Sequence, residues 1–204
     1  MVNTLRKDHS LIASLVPEQS SALDIGCGDG ELLQVLRETR QVRGYGLEID
    51  GSKVSSAVAA GLSVVQGDAD TDLRDYPDQA FGTVILSNSI QTFRRPDQAI
   101  EAAVRVGEQV IVSFPNFGHW KLRMHLLFSG TMPRSKTLPA RWYATDNIHL
   151  CTVKDFLVFT KERGLKITAA FALNRGGRAQ SFQADRPGFS NLFAEDALFV
   201  LSRP

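Results

Sequence analysis

The stretch Leu23-Asp24-Ile25-Gly26-Cys27-Gly28-Asp29-Gly30 decides the fold. Ser21 to Ile25 reads as a short buried strand, and the glycines at 26, 28 and 30 interrupt it before Glu31-Leu-Leu-Gln-Val-Leu-Arg37 resumes with helical spacing. Strand, glycine turn and helix in that order form the first unit of an open α/β sheet. The chain repeats it outward from there: Val42 to Ile49 is a strand, Ser52 to Ala60 a helix with Ser52 as its cap, and Leu62 to Gln66 a third strand. Phe81 to Leu86 and Glu108 to Phe114 are further strands, separated by a helix from Pro96 to Val106 that proline opens. A leader helix from Leu5 to Val16 precedes the first strand.

Strands alternating with helices predict a mostly parallel sheet covered on both faces. Beyond Phe114 the alternation stops, and residues 115 to 150 read as an insertion. It resumes with a helix from Thr152 to Arg163, a strand from Leu165 to Leu173, a loop to about Ser190 and a last strand from Asp196 to Ser202. The 204 residues, 43% hydrophobic, suffice for one core, so a single domain over 1–204 is expected. With 23 Lys and Arg against 22 Asp and Glu, the net charge of +1 offers no global field for nucleic acid or anionic lipid. The longest apolar runs fall far short of a membrane span, the N-terminus has no signal-peptide run, and Cys27 and Cys151 suggest no disulfide framework; a cytoplasmic protein is expected.

In such a sheet, ligands bind beyond the carboxyl ends of the strands, and the first turn is the usual anchor. A dinucleotide fingerprint would place its third glycine at position 31, but that residue is Glu31 and the glycine falls at Gly30. Asp24 and Asp29 flanking the turn would repel a pyrophosphate, whereas S-adenosylmethionine brings an ammonium and a sulfonium and no phosphate. A ribose needs a carboxylate at the end of the second strand, and Glu48 stands 22 residues beyond Gly26, with Asp50 as a competitor. Gly67-Asp68-Ala69 follows the third strand, where an adenine amino group would lie. The candidate cofactor residues are therefore Asp24, Gly26, Cys27, Gly28, Glu48, Ile49, Asp68, Ala69 and Ser87, for S-adenosylmethionine or its product S-adenosylhomocysteine.

Through Leu23 to Gly30, Gly46-Leu-Glu48 and Gly67-Asp-Ala69 the chain resembles the class I S-adenosylmethionine-dependent methyltransferases. That resemblance implies a Rossmann-like, mostly parallel seven-stranded sheet with an antiparallel last strand. It also implies that Gly26 and Gly28 hold the methionyl part, Glu48 the ribose, and Asp68 with Ala69 the adenine. The fourth strand departs from the family pattern, opening with Phe81-Gly82 in place of Phe-Asp, and no Asn-Pro-Pro-aromatic run follows it. More narrowly, Gly44 to Asp50, Val112-Ser-Phe-Pro-Asn-Phe-Gly-His-Trp120, Trp142-Tyr143 and Asn147-Ile-His-Leu-Cys-Thr152 resemble the methionine-biosynthesis family MetW. This implies a role beside homoserine O-acyltransferase, without itself implying methyl transfer.

The acceptor side is less legible. His119 and His149 have the chemistry of a general base near neutral pH, and the Tyr143 hydroxyl that of a substrate-positioning group; these three are the candidate catalytic residues. Between Glu108 and Asp146 there is no acid, while Lys121, Arg123, Arg134, Lys136 and Arg141 all fall there. Trp120, Met124, Leu127 and Phe128 recur at helical spacing, so a short amphipathic helix is expected to turn this apolar stripe inward and Lys121, Arg123 and His125 outward over the cleft. Such a block suits an anionic small-molecule substrate or an acidic partner surface.

Overall fold

The computed structural model describes residues 7–135, 138–174 and 178–203. Strand β1 (Ser21–Ile25) enters helix α2 (Glu31–Arg40) through the glycine turn, and α2 buries Leu32, Leu33 and Leu36 on one stripe while Arg37 and Arg40 stand in its last turn, where they complement the helix dipole. There follow β2 (Arg43–Glu48), α3 (Gly51–Ala59), β3 (Ser63–Gln66) and the single-turn α4 (Ala69–Asp72). Next come β4 (Phe81–Ser87), α5 (Pro96–Val106) and β5 (Gly107–Pro115). Before β1 lies α1 (Lys7–Leu15); the Leu5 end expected for that helix falls outside the described residues.

Helix α6 (Trp120–Ser129) stands inside the insertion, and α7 (Val153–Glu162), β6 (Lys166–Leu173), β7 (Ala179–Ser181), α8 (Ser190–Phe193) and β8 (Asp196–Ser202) complete the chain. The sheet order is β3-β2-β1-β4-β5-β8-β6-β7, with β1 to β5 parallel and β8 running antiparallel between β5 and β6. This is the Rossmann-like arrangement of the class I methyltransferases. It carries one strand more than the seven expected, because β7 pairs antiparallel with the end of β6 inside the stretch read as a loop. Its three residues are all exposed and lack apolar alternation, so only their backbone bonds reveal them.

Alternate residues of each central strand feed different cores. Leu23, Ile25, Val84 and Leu86 join Ile100, Val104 and Phe156 on the face covered by α5 and α7, where Phe114, Phe156 and Phe199 stack with centroids 4.6 to 5.9 Å apart. Ala22, Ile85 and Ile111 face the other way, onto Ile12 and Val16 of the leader segment and Leu36 of α2. Burial on both faces is why these strands read as continuous apolar runs. The chain reverses direction across the sheet between β1 and β4, which opens the crevice that positions the site.

The cap of α3 is Asp50 rather than Ser52: the Asp50 carboxylate accepts from the Ser52 amide at 2.9 Å and from its hydroxyl. A carboxylate accepts both bonds at once, and Asp50 alone has the extended backbone a cap requires. Among the described residues no helix is long and apolar enough to cross a membrane, and no group of His, Cys, Asp and Glu could hold a metal ion.

Candidate functional site

Three left-handed glycines at alternate positions shape the turn after β1, with φ of 73° at Gly26, 57° at Gly28 and 81° at Gly30. L side chains rarely adopt that conformation, so each position favours glycine. The turn is pinned from below. The Gly26 amide donates to the Leu47 carbonyl at 2.8 Å, and the Gly28 amide donates to Glu48 Oε2 at 2.8 Å. Glu48 is buried at the end of β2, and its other oxygen accepts from the Asp50 amide at 3.0 Å. A carboxylate offers about four acceptor directions and these two amides use two, so capacity remains for two hydroxyls.

Space supports the same reading. A side chain at Gly26 would strike Ser89, whereas one at Gly28 would project into open space with nothing within 4 Å. The cradle is thus closed beneath by Ser89 and open above Gly28. Gly46 lets the Cys27 side chain pack beneath it, since a Cβ there would lie 2.5 Å from Cys27 Sγ. Cys27 therefore gives the turn its backbone and turns its thiol inward. Burial first, then the charges of Asp24, Glu48 and Asp29, push that thiol up to about 12. These acids make the cradle electronegative, which favours a cationic ligand.

Asp68 and Ala69 are joined to the same corner through Gly67, whose amide donates to the Glu48 carbonyl at 3.0 Å. The Asp68 carboxylate caps α4 by accepting from the Asp70 amide at 3.0 Å. Ile49, beside Glu48, is exposed at the rim. Ser87 lies at the end of β4, where its hydroxyl donates to Asp8 Oδ2 at 3.1 Å; the Asn88 amide nitrogen donates to that oxygen at 3.2 Å. The leader helix thus reaches the crevice through a carboxylate that sequence reasoning left unassigned. One polar residue in an amphipathic helix carries no signal of a partner 79 positions away.

The acceptor-side candidates are scattered through the insertion. His119 is buried and caps α6, its Nδ1 accepting from the Lys121 amide at 3.3 Å. His149 is exposed, and its amide donates, with that of Ile148, to the carbonyl of Gln91 in the turn after β4. Tyr143 is exposed and its hydroxyl accepts from Arg141 at 2.6 Å. The structure brings Gly26, Cys27, Gly28, Glu48, Asp68 and Ala69 to one corner, and only the His149 backbone is tied to the neighbouring turn.

Sequence reasoning also passed over Asn116. It is buried at the end of β5, donates from Nδ2 to the carbonyls of Asn191 and Ala194 at 3.0 and 2.8 Å, and accepts on Oδ1 from the amides of Gly118 and Val153 at 3.0 and 3.2 Å. Four bonds from one side chain lock the base of the insertion to α7 and α8. The Pro-Asn-Phe-Gly turn composition at 115–118 was the available signal.

The expected inward stripe on α6 is not observed. Only Leu122 is buried on that helix, while Trp120, Met124, Leu127 and Phe128 are all exposed. Helical spacing states which residues share a face but not what the face meets.

Comparison with known proteins gives three findings. A family model described as methionine biosynthesis protein MetW matches residues 6–201. The bifunctional methionine biosynthesis protein MetXA/MetW of Rhodopirellula baltica is 30% identical over 161 residues, which cover 74% of this chain but only 26% of that protein. Among solved structures, an S-adenosylmethionine-dependent methyltransferase of Thermotoga maritima, described as a possible histamine N-methyltransferase, superposes with a TM-score of 0.69 at 14% identity, covering 97% of this chain and 88% of the other. The [4+2]-cyclase SpnF matches at 0.67 and 17%, covering 97% and 81%. These structural likenesses describe the fold, and they span more than one activity.

Proposed function

Because the chain belongs to the methionine biosynthesis protein MetW family, on a match that covers nearly all of it, we propose that it binds S-adenosylmethionine in the cradle at residues 26–30 and acts as an accessory subunit of homoserine O-acyltransferase. The observation that carries the cofactor half is the joint geometry of Gly28 and Glu48: an amide and a carboxylate locked at 2.8 Å beside space that any side chain at position 28 would enter. Glu48 would take the ribose hydroxyls, Gly26 and Gly28 would hold the methionyl part, and Asp68 with Ala69 the adenine. An electronegative cradle suits an ammonium and a sulfonium.

The partner half draws on the relative named for both MetXA and MetW, in which a region like this chain is covalently joined to another methionine-biosynthesis unit. Since S-adenosylmethionine lies downstream of methionine, its binding would report pathway output to the acyltransferase, with reciprocal coupling between the two affinities. Titration calorimetry with S-adenosylmethionine and S-adenosylhomocysteine, repeated on Glu48→Ala, tests the cradle. A wild-type protein that binds neither overturns it. Acyltransferase assays with and without the chain test the accessory role, which fails if the rate is unchanged.

A second reading is methyl transfer to a small anionic metabolite, for which bound S-adenosylmethionine would supply the methyl group. The exposed His149 beside the turn after β4 is the observation that favours it. His119 fits less well as a base because Nδ1 accepts the cap bond of α6. A labelled methyl group found in a product from cell extract would support this reading.

A further inference from the structure

Helix α6 and the segment after it present an apolar surface that the fold leaves uncovered. Leu127 is 69% exposed, Phe128 82% and Trp142 74%, although each would be expected inside. Beyond α6 the chain forms a groove of about 460 Å³ whose apolar lining includes Phe117, Met132, Leu138 and Leu150. The last turn of α6 is tied to its wall, because Ser129 and His125 both lie within hydrogen-bonding distance of Thr131 Oγ1, at 3.3 and 3.1 Å. The base is rigid as well: Asn116 makes its four bonds there, and the Arg123 guanidinium donates to the Gly118 carbonyl. The surface is therefore held in place by polar contacts at its root while its apolar side chains point away from the core.

On α6 and among the residues that line the groove the charge is of one sign, with Asp146 standing between the lining residues Thr145 and Asn147. Residues 109 to 145 contain no Asp or Glu. Lys121 lies over the Trp120 ring and Arg141 over the Tyr143 ring, while Arg134 and Arg141 line the groove. None of Lys121, Arg123, Arg134 and Arg141 pairs with a carboxylate among the described residues. Lys136 lies outside the described residues. Elsewhere on the same chain exposed arginines do find acids, as Arg95 and Arg163 do with Asp97.

We propose that α6 and the groove lined by residues 131–134 and by residues between 138 and 150 dock a folded protein partner that presents an apolar ridge edged by carboxylates. Unpaired cations around exposed aromatics supply both halves of that complementarity, with large apolar and aromatic side chains and Arg at the centre and rim. A concave groove accepts a ridge, whereas a lipid surface would call for a convex wedge. A second copy of this chain meeting it through the same face would set cation against cation. The inference rests on the accessory role above and takes the acyltransferase as that partner.

The test measures affinity of the full chain for purified homoserine O-acyltransferase, for wild type, Phe128→Ser and Arg134→Glu, neither residue belonging to the cofactor cradle. Both variants are expected to keep S-adenosylmethionine binding and the wild-type melting temperature, and to lose acyltransferase affinity by about 30-fold or more for Phe128→Ser and about 10-fold for Arg134→Glu. Variants that bind within about twofold of wild type sink the surface assignment and leave the accessory role standing. A wild-type chain that does not bind the acyltransferase sinks both. Wild-type binding to anionic vesicles, or a dimer in sedimentation that Phe128→Ser abolishes, would reassign the surface to lipid or to self-association and overturn the proposal.

Discussion

Glu48 accepts the Gly28 amide on one carboxylate oxygen and the Asp50 amide on the other, so a single side chain fixes both the glycine turn and the exit from β2. Replacing it by glutamine would set an NH₂ against one of those amides. Glu48→Gln is therefore expected to weaken S-adenosylmethionine at least about tenfold, since one charge-assisted acceptor is lost and an amide is left facing a donor. Titration calorimetry reads the outcome, and an unchanged affinity would remove Glu48 from the ligand.

Gly28→Ala separates binding from stability. Its Cβ would meet no protein atom within 4 Å, so the folded state carries only the strain of φ 57°, about 1 kcal/mol. The methyl group would nevertheless stand where the ligand is placed. A small drop in melting temperature with loss of cofactor binding is expected; retained binding would show that the cradle is not used as described.

Asn116→Ala is expected to cost about 3 kcal/mol. The substitution strands two buried amides and two buried carbonyls at the junction of β5, α7 and α8. Urea unfolding monitored by circular dichroism measures it. Proteolysis within residues 117–150 should also accelerate, because the root of the insertion is released.

Helix α7 begins with a reciprocal cap, in which the Thr152 hydroxyl accepts from the Asp155 amide and the Asp155 carboxylate accepts from the Thr152 amide. Thr152→Ala should destabilise by about 1 kcal/mol, and Thr152→Ser should restore most of it. Denaturant midpoints of the two variants decide.

Alkaline stability should decline through a defined window. Cys27 and Cys151 rise from 9.0 to about 12, burial being the main cause for both, so between those values the folded chain holds protons that the unfolded chain has released. Their contribution is complete below pH 9 and falls as pH climbs toward 12. Melting curves at pH 8 and 10.5 should show a loss that the Cys27→Ala, Cys151→Ala double variant reduces; an equal loss in the variant would assign the effect to other groups. Slow alkylation of Cys27 at pH 8 is expected for the same reason.

The sequence by itself determined the order of strands and helices, the left-handed turn at Gly26 to Gly30 and the carboxylate at Glu48. These are local matters. Apolar alternation, helical spacing and glycine's freedom at positive φ act within a few residues, and the offset from Gly26 to Glu48 is set by one strand-helix-strand unit. Tertiary structure alone decided that Ser87 and Asn88 meet Asp8, that Asn116 locks α7 and α8, that Ala179–Ser181 forms an edge strand, and that the apolar stripe of α6 faces outward. The first two join residues far apart in the chain, the edge strand pairs through its backbone alone, and helical spacing does not state what a face meets; a hydrogen bond leaves no periodic mark on either partner's sequence.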